Sequence, residues 1–169
     1  METTVEKRIR VGLDRLMKIE VFVAVTALVS VAVALVLDVL AREVLGNGIF
    51  GSQRYAVFSN AVAGLLGFAI VVHLGGHLRI SVIDNVFPKN WHDAMGRIAD
   101  AVSAAICTYF AIYAVDFVKK TATIGDVDAV LGIEVWVVQL ILPYIFVASA
   151  LRYLAFASYP ALRPVEKEF

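Results

Sequence analysis

The chain has 169 residues, 60% of them hydrophobic, with 15 basic and 15 acidic side chains and one cysteine. Its mean hydropathy is +0.81. Zero net charge gives no global field to gather nucleic acid or acidic substrates, and the lone Cys107 can form neither an internal disulfide nor a CxxC redox or zinc site.

Four apolar runs dominate: Ile19–Ala41, Tyr55–Leu74, Ile98–Val118 and Val135–Ala157. Each has roughly the 20 residues an α-helix needs to cross about 30 Å of hydrocarbon. The fold class is therefore an all-α integral membrane protein with four transmembrane helices. What remains outside the spans is divided among tails and connections, too little for a separate soluble core. The organisation expected is a cytoplasmic N-terminal segment (1–18), a four-helix membrane domain (19–157) and a cytoplasmic C-terminal tail (158–169).

In the N-terminal segment, Val5, Ile9, Leu13, Leu16 and Ile19 recur at helical spacing between Lys7, Arg8, Arg10, Arg15 and Lys18. This pattern predicts an amphipathic interfacial helix on the cytoplasmic leaflet, running into the first span. The run that follows is too long for a signal-peptide core, and Asp38–Arg42 makes a poor cleavage site, so the first span is read as uncleaved. Only Arg42, Arg54, Lys119 and Lys120 fall on the far side of the alternating connections. The positive-inside rule then puts both termini and the second connection in the cytoplasm.

Span one carries Ala24, Ala27, Ser30 and Ala34, small residues that allow close helix approach. At its outer end Asp38 and Arg42 are four apart, the spacing of an intrahelical ion pair. Gly46–Gly51 reads as a flexible outer turn. In span two, Asn60, Gly64 and Gly67 suggest a helix-packing face, either within the domain or against a partner.

The stretch from His73 to Asp84 is polar, with His77 and Arg79 at its centre. Two histidines four apart on one helix cannot supply both axial ligands of a haem, and no nearby residues complete a metal set. Pro88 and Trp91 suggest an inner interfacial segment. Span three holds Asp100 and Asp116 near its ends and the Tyr109/Tyr113 pair on one face. Asp126 and Asp128 lack the spacing of a calcium loop, and their connection reads as polar and mobile. In span four Pro143 predicts a kink, and Arg152 is placed to snorkel to the inner headgroups.

No nucleotide, hydrolase or metalloprotease motif is present, and ionisable residues sit toward the span ends rather than the midplane, where transporter sites lie. The residues thus suggest an accessory or scaffolding subunit without cofactor or catalytic site. A haem- or quinone-binding respiratory anchor and a small stand-alone channel or exporter remain as alternatives.

Three features in order resemble the small permease (DctQ-type) subunit of TRAP, the tripartite ATP-independent periplasmic transporters. Arg42 ends span one ahead of a Gly/Asn turn. Gly67 precedes by ten residues His77-Leu78-Arg79-Ile80, with Asp84 soon after. Trp136 is followed seven residues later by Pro143, and then by Arg152. The chain departs from the family pattern at Gln53-Arg54, where a Glu is common, and at Glu134, where a Pro is usual. The resemblance implies an inner-membrane, non-catalytic subunit that binds a large permease. A periplasmic binding protein would deliver an organic acid, taken up on a sodium gradient.

Overall fold

A computed structural model describes residues 4–75, 92–159 and 162. The chain forms α1 (Thr4–Leu45), α2 (Ser52–His73), α3 (His92–Ile124), α4 (Val135–Gln139) and α5 (Ile141–Ser158). Among the described residues, four helical stretches are long and apolar enough to cross a membrane, with α4 and α5 together making the fourth. His77, Arg79, Pro88 and Trp91 lie outside the described residues.

The helices pack side by side rather than around a common axis. α1 packs along α2, α2 touches α5, and α5 packs along α3. The result is a row in the order α1, α2, α5, α3. Small side chains make this possible where lipid offers no competing hydrophobic force. Ala24 of α1, Leu66 and Ala69 of α2 and Ile145 of α5 form one buried cluster. Val72 of α2, Ala104 and Cys107 of α3, and Ala150 and Tyr153 of α5 form another. Phe146 of α5 joins the neighbours through its ring, stacking on Phe110 at 5.4 Å and meeting Phe68 edge-on at 6.3 Å.

α1 is a single helix of 42 residues, about 63 Å at 1.5 Å per residue. The amphipathic N-terminal segment and span one are therefore continuous, with no break between them. Ile9, Leu13 and Leu16 are half-buried, whereas Ile19 is 61% exposed. α1 meets the row through a narrow seam, Glu20, Ala24, Ala27, Val31, Ala34 and Asp38, alternating steps of four and three. Val21, Ser30 and Ala41 flank this seam half-buried, Ser30 Oγ accepting the Tyr55 hydroxyl of α2 at 2.8 Å, and the remaining span residues are exposed.

Span four is interrupted at Leu140, between α4 and α5. Pro143 has no N–H for the Gln139 carbonyl, so the regular bonding pattern fails just ahead of it. The break is local, because Tyr144 N–H still reaches the Leu140 carbonyl at 3.4 Å. The connection between α3 and α4, expected to be mobile, is instead a hydrogen-bonded turn. Asp128 N–H donates to the Ile133 carbonyl at 2.9 Å and Val135 N–H to the Asp126 carbonyl at 3.0 Å.

Candidate functional site: two buried carboxylates and an uncovered face

Arg152 and Glu20 form an ion pair buried between helices. Their side chains are 0% and 1% exposed, and Arg152 Nη2 donates to Glu20 Oε2 at 2.5 Å. Arg152 Nη1 donates to the Ala69 carbonyl of α2 at 2.9 Å. Tyr144 donates its hydroxyl to Glu20 Oε1 at 3.0 Å. One junction thus ties α1, α2 and α5 together. It corrects the expectation that Arg152 snorkels: the side chain turns into the protein. Buried charge is costly unless paired and hydrogen-bonded; Glu20 is bonded at both oxygens and Arg152 at both Nη atoms, while Arg152 Nε is buried with no partner among the described residues. Beside it, His73 Nε2 lies 3.2 Å from Asp14 Oδ1, joining the end of α2 to the N-terminal part of α1.

Sequence reading missed Glu20. It sits at the boundary of an apolar run, where a carboxylate looks like an ordinary interfacial residue. The available signal was an acid at the N-terminal end of span one, matched by an Arg toward the C-terminal end of span four, which lies at the same end of an up-and-down arrangement.

Eighteen positions along α1 the second carboxylate, Asp38, is also buried. The Arg42 pair expected from spacing is formed, with Nη2 2.7 Å from Oδ2. Oδ1 accepts the Ile49 N–H at 2.7 Å, so the turn after α1 folds back onto it. Gly48 makes this possible: a Cβ there would lie 2.7 Å from both Arg42 Nε and Asp38 Oδ1. Gly51, at φ 82°, takes the left-handed conformation that lets α2 start.

Asp128 anchors the turn between α3 and α4. It accepts N–H groups from Leu131 at 2.9 Å and Val130 at 3.1 Å, and Arg54 Nε at 2.5 Å. The Leu131 N–H and then the Arg54 guanidinium hold its carboxyl below the usual range. Arg54 also lies 5.2 Å over the Phe58 ring. Arg42 and Arg54 line an outer pocket of about 730 Å³, their side chains half-exposed and their carboxylate partners buried beneath. Trp136 donates to Glu134 at 2.5 Å on the same side.

Between the Glu20–Arg152 junction and these turns, α1, α2 and span four border one another. They leave a groove of about 610 Å³ lined by Phe22, Thr26, Phe58, Val62, Val137 and Ile141. On α2, Asn60 and Gly64 are exposed and Gly67 is half-buried. A Cβ added at Gly64 or Gly67 would meet nothing within 4 Å among the described residues. Of the two packing alternatives, the chain's own described helices do not use this face.

The remaining sequence-derived residues are scattered. Pro143 shapes the first turn of α5, and Asp100 is buried in α3. Tyr109 and Tyr113 pair at 4.6 Å between centroids but are both more than half exposed. Among the described residues no group of three His, Cys, Asp or Glu could hold a metal ion.

The family model for the DctQ component of tripartite ATP-independent periplasmic transporters matches residues 31–161. The chain belongs to this family. It is a small membrane component of a TRAP transporter, a system of several subunits, and the respiratory-anchor reading gives way to it. No curated protein matches the chain.

Proposed function

We propose that this TRAP component is a non-catalytic scaffold, a plate of four helices against which a large permease docks and moves. Both termini face the cytoplasm of a cell whose inner membrane holds the complex. A periplasmic binding protein delivers an organic acid to the outer side, and the permease imports it on a sodium gradient. The Arg42 and Arg54 turns offer that delivery protein half-exposed guanidinium groups.

One observation carries the scaffold reading. The small-residue stripe of α2, which normally marks close helix packing, has none of the chain's described residues within 4 Å of where a Cβ at Gly64 or Gly67 would stand. A second membrane protein is the occupant that makes sense of it.

Gly64→Leu tests this. The new side chain has room in the isolated subunit, and replacing a helix-interior glycine favours the helix by about 0.5–1 kcal/mol. The variant should match or exceed the parent in thermal stability yet recover several-fold less large permease in a mild-detergent pull-down. Undiminished recovery would remove the stripe from the interface.

A further inference from the structure

α1 carries one cationic face that packs against no other described helix. At 100° per residue, Lys7, Arg8, Val11, Arg15, Lys18, Ile19 and Phe22 share an arc of roughly 120°. All seven are exposed. The opposite side of the same turns is different: Glu6, Ile9, Leu13 and Leu16 are half-buried and Glu20 is buried, with Arg10 the one exposed basic residue of these turns that lies off the arc. The basic residues of this arc are thus sorted onto the open face, beyond what orienting the chain requires, since topology depends on their number near the span and not on their helical phase.

Glu20 and Asp38 locate this face relative to the bilayer. They end the buried seam of α1 and are separated by about 27 Å, close to the hydrocarbon thickness. Lys18 and Arg15 then lie within about 8 Å beyond the inner edge, at headgroup depth. Arg8 and Lys7 follow on the same side, about 18–20 Å beyond that edge. The arc also runs directly into Phe22 and Ile19, which are 72% and 61% exposed in the span. A surface basic at one end and apolar at the other, without a step between them, matches a lipid with its phosphate and its chain.

We propose that this arc binds anionic phospholipid of the inner leaflet. This rests on the cytoplasmic placement of the N-terminus and not on the transporter reading. The chemistry recognised is a phosphodiester headgroup with net negative charge, which a zwitterionic lipid lacks.

The test is native mass spectrometry of the intact chain in detergent, titrated with phosphatidylglycerol or with phosphatidylcholine of the same acyl chains. The expected result is retention of phosphatidylglycerol at least tenfold tighter, weakened by salt. Each basic residue near an anionic surface contributes about fivefold, so the two charges at headgroup depth must matter most. Arg15→Gln with Lys18→Gln should abolish most of the preference, and Lys7→Gln with Arg8→Gln less. Lys119→Gln with Lys120→Gln, exposed near the far end of α3, should keep it. Neutralising α1 can disturb insertion, so the parent chain is also titrated at low salt and at roughly tenfold higher NaCl, where screening shortens from about 10 Å toward 3 Å. Equal retention of the two lipids, a preference insensitive to salt, or a preference that follows Lys119 and Lys120 would overturn the proposal.

Discussion

Removing either member of the Glu20–Arg152 pair should be far more damaging than removing both. Glu20→Leu leaves the Arg152 guanidinium buried with only the Ala69 carbonyl, and deprives the Tyr144 hydroxyl of its acceptor. Arg152→Met leaves the Glu20 carboxylate with only that hydroxyl. Stranding one charge of a buried pair costs about 3–5 kcal/mol. In Glu20→Leu/Arg152→Met the charges vanish together, and an apolar replacement of a buried pair is often neutral. What remains is an unsatisfied Tyr144 hydroxyl, about 1–3 kcal/mol. The double variant should therefore lose only about 1–3 kcal/mol, against about 6–10 for the summed singles. Reversible unfolding in mixed micelles of increasing SDS fraction, followed by helical circular dichroism, measures all four corners of the cycle. The damage should centre on α1, because α1 and α5 do not pack along one another and this junction is their tie. A double variant as unstable as the sum of the singles would refute the coupling, and singles costing under about 1 kcal/mol would show that the pair is not buried in the membrane.

Two further outcomes concern the outer turns. Gly48→Val should force Arg42 and Asp38 apart, since its Cβ would fall 2.7 Å from each. Transport by the assembled system should drop several-fold while the protein still inserts, and full uptake would show that the clasp is dispensable. Asp128 has a folded-state pKa below its ordinary 3.8. Its contribution to holding the α3–α4 turn is therefore present above about pH 4 and is lost as pH falls through the depressed value. Amide exchange at Val130 and Leu131, corrected for the intrinsic rate, should accelerate only in that acid window, and at neutral pH in Asp128→Asn. Protection unchanged in Asp128→Asn would mean that backbone bonds alone close the turn.

The four spans were legible because hydropathy is summed over about twenty residues, so no single position decides it. The Asp38–Arg42 pair was legible for a different reason: both residues lie on one helix, where spacing alone sets the geometry. Arg152 was not, because its depth can be read from the chain but its facing direction depends on which helix lies beside it. An arginine near a span end snorkels if it faces lipid and needs a carboxylate if it faces protein; Glu20, 132 positions away, decides between them. The same ambiguity governed Gly64 and Gly67. Small residues declare a packing face without saying whether the partner is internal; among the described residues, a Cβ at either glycine would meet nothing within 4 Å.

The row arrangement follows from how little of α1 is committed to the protein. In a closed bundle a helix buries a broad apolar stripe; here the most apolar window of α1 is 11% buried. A seam of alanines supplies close contact but little apolar area, so by itself it resists sliding weakly. Carboxylates at both ends change this. Glu20 is fixed by groups from α5, themselves bonded to α2, while Asp38 is fixed by the Ile49 N–H of the turn that leads into α2. A slip of one helical turn would strand both charges in hydrocarbon or lipid headgroups without their donors. Register is thus set by polar contacts at the two membrane boundaries, and the outward faces of α1 and α2 are left free of any packing duty within the described chain. For a component of a multi-subunit transporter that division is useful: the surfaces offered to lipid and to partner subunits can be altered without disturbing what holds the four helices in place.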